Sequence, residues 1–317
     1  MIARIGVVSA APAVDRTHLV TELRPGTIHR PAQVLARPGG KGFNVAHVLH
    51  TLGAQVVVAA PLAGATGRWL ADAAVANGLD VHPTWVPGEL RTCVSVFAEA
   101  DGSLTEFYEP PLRVAPADWA RFSADAIAVM TDPGLEAIAV SGKVPPGSPA
   151  DGLAQIVRAV VAAGRLVAVD ADGPGLPDAI AARPSIVKVN GAEVGALLGR
   201  SVVSAEEAVT AARDLRAMGP GAAVVTLGRE GAVAVDASGT AWRVHPVEAD
   251  GRFPTGSGDA FLAGLLVALV GGAAFADALR LATGAAAANT EQPGAGIVDP
   301  ARARTIAATV RVEIVGR

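Results

Sequence analysis

The sequence predicts an α/β fold, a mostly parallel sheet with helices on both faces and a small antiparallel β lid attached to it. Three observations carry this expectation. From Pro116 onward, short apolar runs alternate with longer runs of helical spacing, the rhythm of βα units. The segments 136–141, 165–170, 185–189 and 222–227 are apolar almost throughout, as strands covered on both faces are. Two strand-rich stretches, about 16–36 and 84–110, interrupt the rhythm and are assigned to the lid.

Taken in order, Ile2–Ser9 is an apolar run of strand length. Gly42–Leu52 repeats its apolar residues at helical spacing and stops at Gly53, a favourable residue beyond a helix end. A strand is expected over 55–60, a helix over 68–76 closing before Asn77-Gly78, and a strand near 80–86. Segments 91–100 and 103–109 read as a hairpin about Asp101-Gly102, a two-residue turn signal. Helices are expected over 117–130 and 150–163, each beside one of the apolar strands, then over 191–198 and 204–218. A hairpin spans 231–247, and helices follow over 257–270, 274–290 and 300–310.

A chain of 317 residues is long enough for a large core, and no repeat or charge block divides it. Residues 1–317 are therefore read as one domain bearing the lid. The formal charge of −4 excludes a bulk nucleic-acid binder, which presents a basic face. The longest apolar run, Phe261–Ala276, is bounded by Asp259 and Asp277 and is too short for a membrane helix. Cys93 is the single cysteine, so neither an internal disulfide nor a multi-thiolate zinc site is available. The short, β-branched N-terminus fits a first strand better than a signal peptide, which makes the expected location the cytoplasm.

The chemistry concentrates in glycine-rich turns. Phe253-Pro254-Thr255-Gly256-Ser257-Gly258-Asp259 opens a long apolar helix, where converging backbone N–H groups and the helix dipole suit a phosphate or a developing oxyanion. Asp259 in that turn can take a proton from a hydroxyl, or it can simply cap the helix. Arg37-Pro38-Gly39-Gly40-Lys41-Gly42-Phe43-Asn44 also opens a helix and could hold a polyhydroxylated ligand. Competing motifs fail on spacing. A dinucleotide fingerprint needs glycine where Phe261 stands, a P-loop needs Ser or Thr where Gly42 and Val144 stand, and a nucleophile elbow needs glycine at Thr255.

Only three lysines occur, Lys41, Lys143 and Lys188, and each lies in a glycine-rich loop or at a strand end. Open α/β sheets bind ligands at the carboxyl ends of their strands, and lysine is a compact charge suited to phosphate. Asn190 and Glu193, three apart, fit a water-rich Mg²⁺ shell or, equally, a helix capping box. The six histidines form no ligand set, and His47 and His50 are expected on the surface or along a groove.

These residues resemble the PfkB/ribokinase superfamily of carbohydrate kinases. Gly39-Gly40-Lys41-Gly42-Phe43-Asn44-Val45-Ala46 resembles its first signature and Thr255-Gly256-Ser257-Gly258-Asp259 its second, in the right order and nearly end to end. Ala11–Asp15, Gly26–Arg30 and Thr105-Glu106-Phe107 resemble the branch of 1-phosphofructokinase and tagatose-6-phosphate kinase. The resemblance implies a ribokinase-like three-layer sandwich and ATP-dependent phosphoryl transfer with Mg²⁺ to a hydroxyl of a ketohexose phosphate. It implies Asp259 as base and Gly256, Ser257 and Gly258 as anion hole. It places Asp15, Gly39, Gly40, Lys41 and Asn44 on the sugar, with Arg91, helped by Arg30, on a substrate phosphate. Lys143, where the family's serine would stand, adds a charge near the sugar. Lys188, Asn190 and Glu193 are implied for the nucleotide phosphates and, through water, the metal. Thr226, Gly228 and Gly231 are implied for the nucleotide loop, and Asn289 for the adenine pocket.

The sequence departs from the branch at Ala11, Leu90, Cys93, Lys143, Asp172 and Pro110-Pro111, mostly on the sugar side. Two alternatives stay open: a kinase of an unphosphorylated sugar or nucleoside, and a non-catalytic sugar-phosphate sensor. A homodimer through the lid is expected, because an exposed strand edge calls for cover.

Overall fold

The computed structural model describes residues 2–249 and 251–316, which form a ten-stranded and a four-stranded sheet with helices packed on both faces of the larger. The chain begins with β1 (Arg4–Ser9), β2 (Ala13–Val20), β3 (Gln33–Gly39) and α1 (Lys41–Thr51), then β4 (Gln55–Leu62), α2 (Gly64–Ala76) and β5 (Asp80–Trp85). β6 (Thr92–Ala98), β7 (Ser103–Tyr108) and α3 (Pro116–Met130) follow. The βα rhythm then supplies β8 (Ala137–Ser141), α4 (Gly152–Ala162), β9 (Leu166–Asp170), α5 (Leu176–Ala181), β10 (Ile186–Asn190), α6 (Gly191–Leu198), α7 (Ala205–Ala217) and β11 (Ala222–Thr226). The chain ends with β12 (Ala232–Val235), β13 (Ala241–Val244), α8 (Ser257–Val270), α9 (Phe275–Thr290), α10 (Pro300–Thr309) and β14 (Val312–Gly316).

The large sheet has the order β14-β13-β12-β11-β10-β9-β8-β1-β4-β5, parallel from β11 through β5 and antiparallel at β12, β13 and β14. Strand order reverses beside β1, which pairs with β4 on one side and β8 on the other. Such a reversal opens a crevice at the strand ends, and α1 and α8 both begin there. The apolar run from Phe261 is α8, buried on nearly every side against α9 and α1, which explains its lack of amphipathic pattern. Among the described residues no helix is long and apolar enough to cross a membrane.

The smaller sheet has the order β3-β2-β6-β7 and is mixed, where the sequence predicted an antiparallel one. β2 and β6 run parallel, Asp15 beside Cys93, because both leave the same end of the large sheet. Residues 21–32 carry no strand, and Thr84 and Trp85 complete β5 of the large sheet. The hairpin at Asp101-Gly102 is also wider than predicted: Ala98 pairs with Ser103, so four residues make the turn. β14 and α5 were not foreseen; both are short, and β14 owes its place to pairing with β13 rather than to its own pattern.

Candidate active site

Asp259 lies in the first turn of α8 and is nearly fully buried, accepting a hydrogen bond from Asn44 Nδ2 at 2.9 Å. Burial, then repulsion from Asp170, pushes its carboxyl up to about 7, while Lys188 and Asn44 pull the other way. The turn ahead of it depends on Gly256, whose φ of +83° few other residues adopt. The Ser257 N–H is spent on the Pro254 carbonyl at 3.1 Å. The next N–H groups, on Gly258 and Asp259, are therefore the ones a helix start leaves for an anion. Lys188 Nζ lies against this turn, 2.7 Å from where a Cβ on Gly258 would stand.

The three lysines converge on carboxylates at the strand ends. Asp170, wholly buried at the end of β9, receives Lys188 Nζ at 2.7 Å and Lys41 Nζ at 3.1 Å. Burial alone would raise the Asp170 carboxyl, but the two ammonium groups outweigh it and hold it low. Lys41 also reaches Glu193 at 2.9 Å and Asp172 at 3.7 Å, and Lys143 reaches Asp172 at 3.5 Å. Two departures from the family pattern, Lys143 and Asp172, thus face each other as an ion pair. The sequence reading named Asp172 only as a departure from the family pattern and gave neither it nor Asp170 a role in the site. Their signal was the demand for counter-charge that three clustered lysines impose.

A cavity of about 620 Å³ opens beside the turn, lined at one end by Lys188, Asn190, Ser257 and Gly258. Thr226, Gly228 and Gly231 form one wall and Val247, Phe261, Ala286 and Ala287 an apolar one, with Arg229 at its edge. A charged end and an apolar slot of this size fit a nucleoside triphosphate. Asn289, expected against the base, sits elsewhere. It is fully buried, donates to the Thr255 carbonyl at 2.9 Å and Ser257 Oγ at 3.2 Å, and accepts from the Gly296 and Ile297 N–H groups at 2.9 and 3.2 Å. It ties the turn to the 294–297 loop.

Asn190 and Glu193 form the capping box of α6, each side chain accepting the other's N–H at 2.8 Å, with the second Glu193 oxygen on Lys41. No group of three metal-ligating side chains occurs among the described residues, so the donor set fits an ion held through water and phosphate rather than a protein cage.

Across the turn, the smaller sheet presents Asp15, Thr17, Cys93, Ser95 and Tyr108 on one face. Burial, countered by the Gly40 N–H at 3.3 Å and by Arg91, pushes Asp15 up to about 6. Gly39 packs so tightly on the Asp15 carboxyl that a Cβ has no room. Arg91 and Arg37, the latter in register with Asp15, each bury an Nε that has no partner. The sequence analysis placed Arg37 at the start of the glycine-rich loop but gave it no role of its own. Arg30, expected as a helper, is exposed in the 21–32 connection and makes no ion pair among the described residues. Burial pushes the Cys93 thiol up to about 11, which leaves it un-ionised. His47 is buried rather than at the surface or along a groove; burial and then Arg37 push it down to about 3, so it is neutral.

The chain is similar to known proteins over nearly its whole length. The model of the pfkB family carbohydrate kinases matches residues 3–302. A 1-phosphofructokinase of Rhodobacter capsulatus is 34% identical over 313 residues, covering 99% of this chain and 98% of that protein. Phosphofructokinase-2 from Escherichia coli, in a crystal structure with substrates and products, superposes with a TM-score of 0.87 at 25% identity, covering 97% and 99% of the two chains. A ribokinase of Arabidopsis thaliana, complexed with ribose and ATP, shares the fold with a TM-score of 0.74 at 20% identity, covering 97% and 99%.

Proposed function

We propose that this chain, which belongs to the pfkB family of carbohydrate kinases, transfers the γ-phosphoryl group of ATP to a hydroxyl of a ketohexose phosphate, as a 1-phosphofructokinase does. The observation that carries this reading is the position of Asp259. Its buried carboxyl lies in a turn that lines the 620 Å³ cavity through Ser257 and Gly258 and meets the Asp15 face of the smaller sheet through Thr255, with Lys188 against Gly258.

Kinases of this family use ATP; ATP would supply the phosphoryl group, and a bound Mg²⁺ would neutralise much of the phosphate charge. Asp259 accepts the acceptor hydroxyl's proton as the new O–P bond forms and the bond to ADP breaks. The Gly258 and Asp259 N–H groups and Lys188 face the charge that develops on the transferred group. Asp15, Asn44 and the Gly39-Gly40 backbone orient the sugar. Asn190 and Glu193 would hold Mg²⁺ through its water shell. Arg91, with Arg37, is assigned to the substrate phosphate, because buried donors without partners call for an anion.

A kinase of an unphosphorylated sugar is the second reading. It is favoured by the Lys143–Asp172 pair, which removes one of the basic groups free to meet a phosphate. An ADP-release assay with MgATP and fructose 1-phosphate, fructose 6-phosphate, tagatose 6-phosphate, fructose, ribose and adenosine separates the two. Turnover on a ketose phosphate is expected; turnover confined to the unphosphorylated acceptors overturns the assignment of the arginines, and binding without turnover leaves a sensor.

The smaller sheet is assigned as a lid, and its outer face as the contact of a homodimer. Val94 and Phe107 stand side by side there, and Val34 and Phe107 are about half exposed. Sedimentation of Phe107→Glu tests this: a monomer is expected, and an unchanged mass rejects the contact. The cytoplasm, where ATP is available, is the proposed location.

A further inference from the structure

The segment that carries Arg91 joins β5 to β6, and residues 86–91 have no regular structure of their own. Val86 and Leu90 are buried in the main hydrophobic core, and the Val86 N–H donates to the Leu62 carbonyl at 2.9 Å. At the far end the Val14 N–H donates to the Arg91 carbonyl at 3.0 Å. Arg91 continues the alternation of Cys93 and Ser95, two of the side chains on the Asp15 face. Its charge helps lower the Asp15 carboxyl against burial, while its own Nε is buried without a partner.

Between Val86 and Leu90, Glu89 reaches onto the start of α2. That helix has no side-chain cap of its own, since Ala63 precedes it and its first turn holds no acid. Glu89 takes both roles. Its Oε2 accepts the Ala65 N–H at 3.0 Å and its Oε1 the Thr66 N–H at 2.6 Å, and the Thr66 hydroxyl also donates to Oε1. That hydroxyl stands 3.2 Å from the Leu90 carbonyl. Gly64, at φ +66°, leaves the carboxylate its place, which a Cβ there would occupy. The Thr66 hydroxyl, then the two N–H groups, hold the Glu89 carboxyl below its usual range.

A cap serves the stability of α2. Two residues ahead of Arg91, this one also fixes the backbone from which an unpaired guanidinium reaches toward an anion. Placement errors of about 1 Å are enough to weaken such a contact strongly.

We infer that Glu89 is a positioning residue for the acceptor's phosphate: bound to Ala65 and Thr66, it sets the place of Arg91. The inference rests on the assignment of Arg91 to that phosphate, made above.

The test is steady-state kinetics with MgATP and whichever of fructose 1-phosphate, fructose 6-phosphate and tagatose 6-phosphate the wild type turns over. The variants are Glu89→Ala, Glu89→Gln, Thr66→Val, Arg91→Ala and the double variant Glu89→Ala with Arg91→Ala. Glu89→Ala should raise the acceptor KM on the order of tenfold, with kcat and the KM for MgATP within about twofold of wild type. The sign is informative, because losing a negative charge would by itself ease the approach of an anionic acceptor. Glu89→Gln keeps an oxygen for one of the two N–H groups and should recover part of the loss, and Thr66→Val should show a smaller rise. In the Arg91→Ala background, Glu89→Ala should add nothing to the acceptor KM. An acceptor KM unchanged or lowered in Glu89→Ala, with or without a lower melting temperature, overturns the inference and leaves a helix cap. Effects that add to those of Arg91→Ala overturn it as well. A wild type that turns over none of the three phosphates rejects the kinase reading, and this inference with it; that failure shows in the wild type alone, before any variant is compared.

Discussion

Lys188 Nζ lies 2.7 Å from Asp170 Oδ2, and both side chains are all but removed from solvent. The pair belongs to the site more than to the core, because the same ammonium group presses on the helix start at Gly258. Asp170 thereby fixes the position of Lys188, holds Lys41, and adds the negative charge that helps raise Asp259.

Replacing Asp170 with Asn leaves two ammonium groups short of their counter-charge. Breaking a buried pair from one side costs about 3–5 kcal/mol, so Asp170→Asn should lower the urea midpoint markedly. It should also shift the acid limb of kcat/KM to lower pH, because the repulsion on Asp259 goes while Lys188 remains. A limb that stays in place would show that Asp170 does not set the proton affinity of Asp259.

As the proposed base, Asp259 must be ionised to accept a proton, and its carboxyl is pushed up to about 7. Activity should therefore fall as pH drops below about 7. Asp259→Asn should lose about 10²–10⁴ in kcat at near-constant nucleotide affinity. Stability runs the opposite way. The native state holds this proton more tightly than the unfolded chain, so the group's contribution is full below about 4 and is lost as pH rises through about 7. Denaturant titration at pH 8 should find Asp259→Asn gaining on wild type, with the gain shrinking by pH 5. A pH-independent difference would contradict the raised carboxyl.

How much of this was legible beforehand divides along physical lines. The parallel sheet was readable because strands buried on both faces advertise themselves as continuous apolar runs, as at 222–226. The turn at Gly256–Asp259 was readable because few residues adopt its backbone. What the sequence hid was mutual position. Nothing local told Asn289 from a ligand-facing side chain, and nothing revealed that Lys143 and Asp172, 29 positions apart, compensate each other. The parallel pairing of β2 with β6 is likewise a consequence of where two distant strands leave the large sheet.

Asn289 gives a sharp contrast between two roles. In the structure it saturates the Thr255 carbonyl and two backbone N–H groups. Asn289→Ala strands those groups, and with about 1–3 kcal/mol for each buried group left unpaired the variant should be several kcal/mol less stable. The kcat should fall because the turn loosens, while nucleotide affinity changes little, since the side chain is not on the cavity wall. A large loss of nucleotide affinity at unchanged stability would return Asn289 to the base.

Lys143 and Asp172 remain half-exposed, with side-chain exposures of 57% and 32%, so their pair at 3.5 Å contributes little to stability. Lys143→Ser should therefore leave the melting temperature unchanged. It should nevertheless act on the substrate. Without Lys143, the Asp172 carboxylate keeps only Lys41, at 3.7 Å, and Lys41 is already shared with Asp170 and Glu193. The uncompensated negative charge repels an incoming phosphorylated acceptor, and the KM should rise several-fold at low salt, less at high salt. Removing that charge as well, in Lys143→Ser with Asp172→Ser, should restore the KM. A KM that stays constant for every phosphorylated sugar across these variants would place the pair outside the acceptor site, and the substrate phosphate would then rest on Arg91 and Arg37 alone.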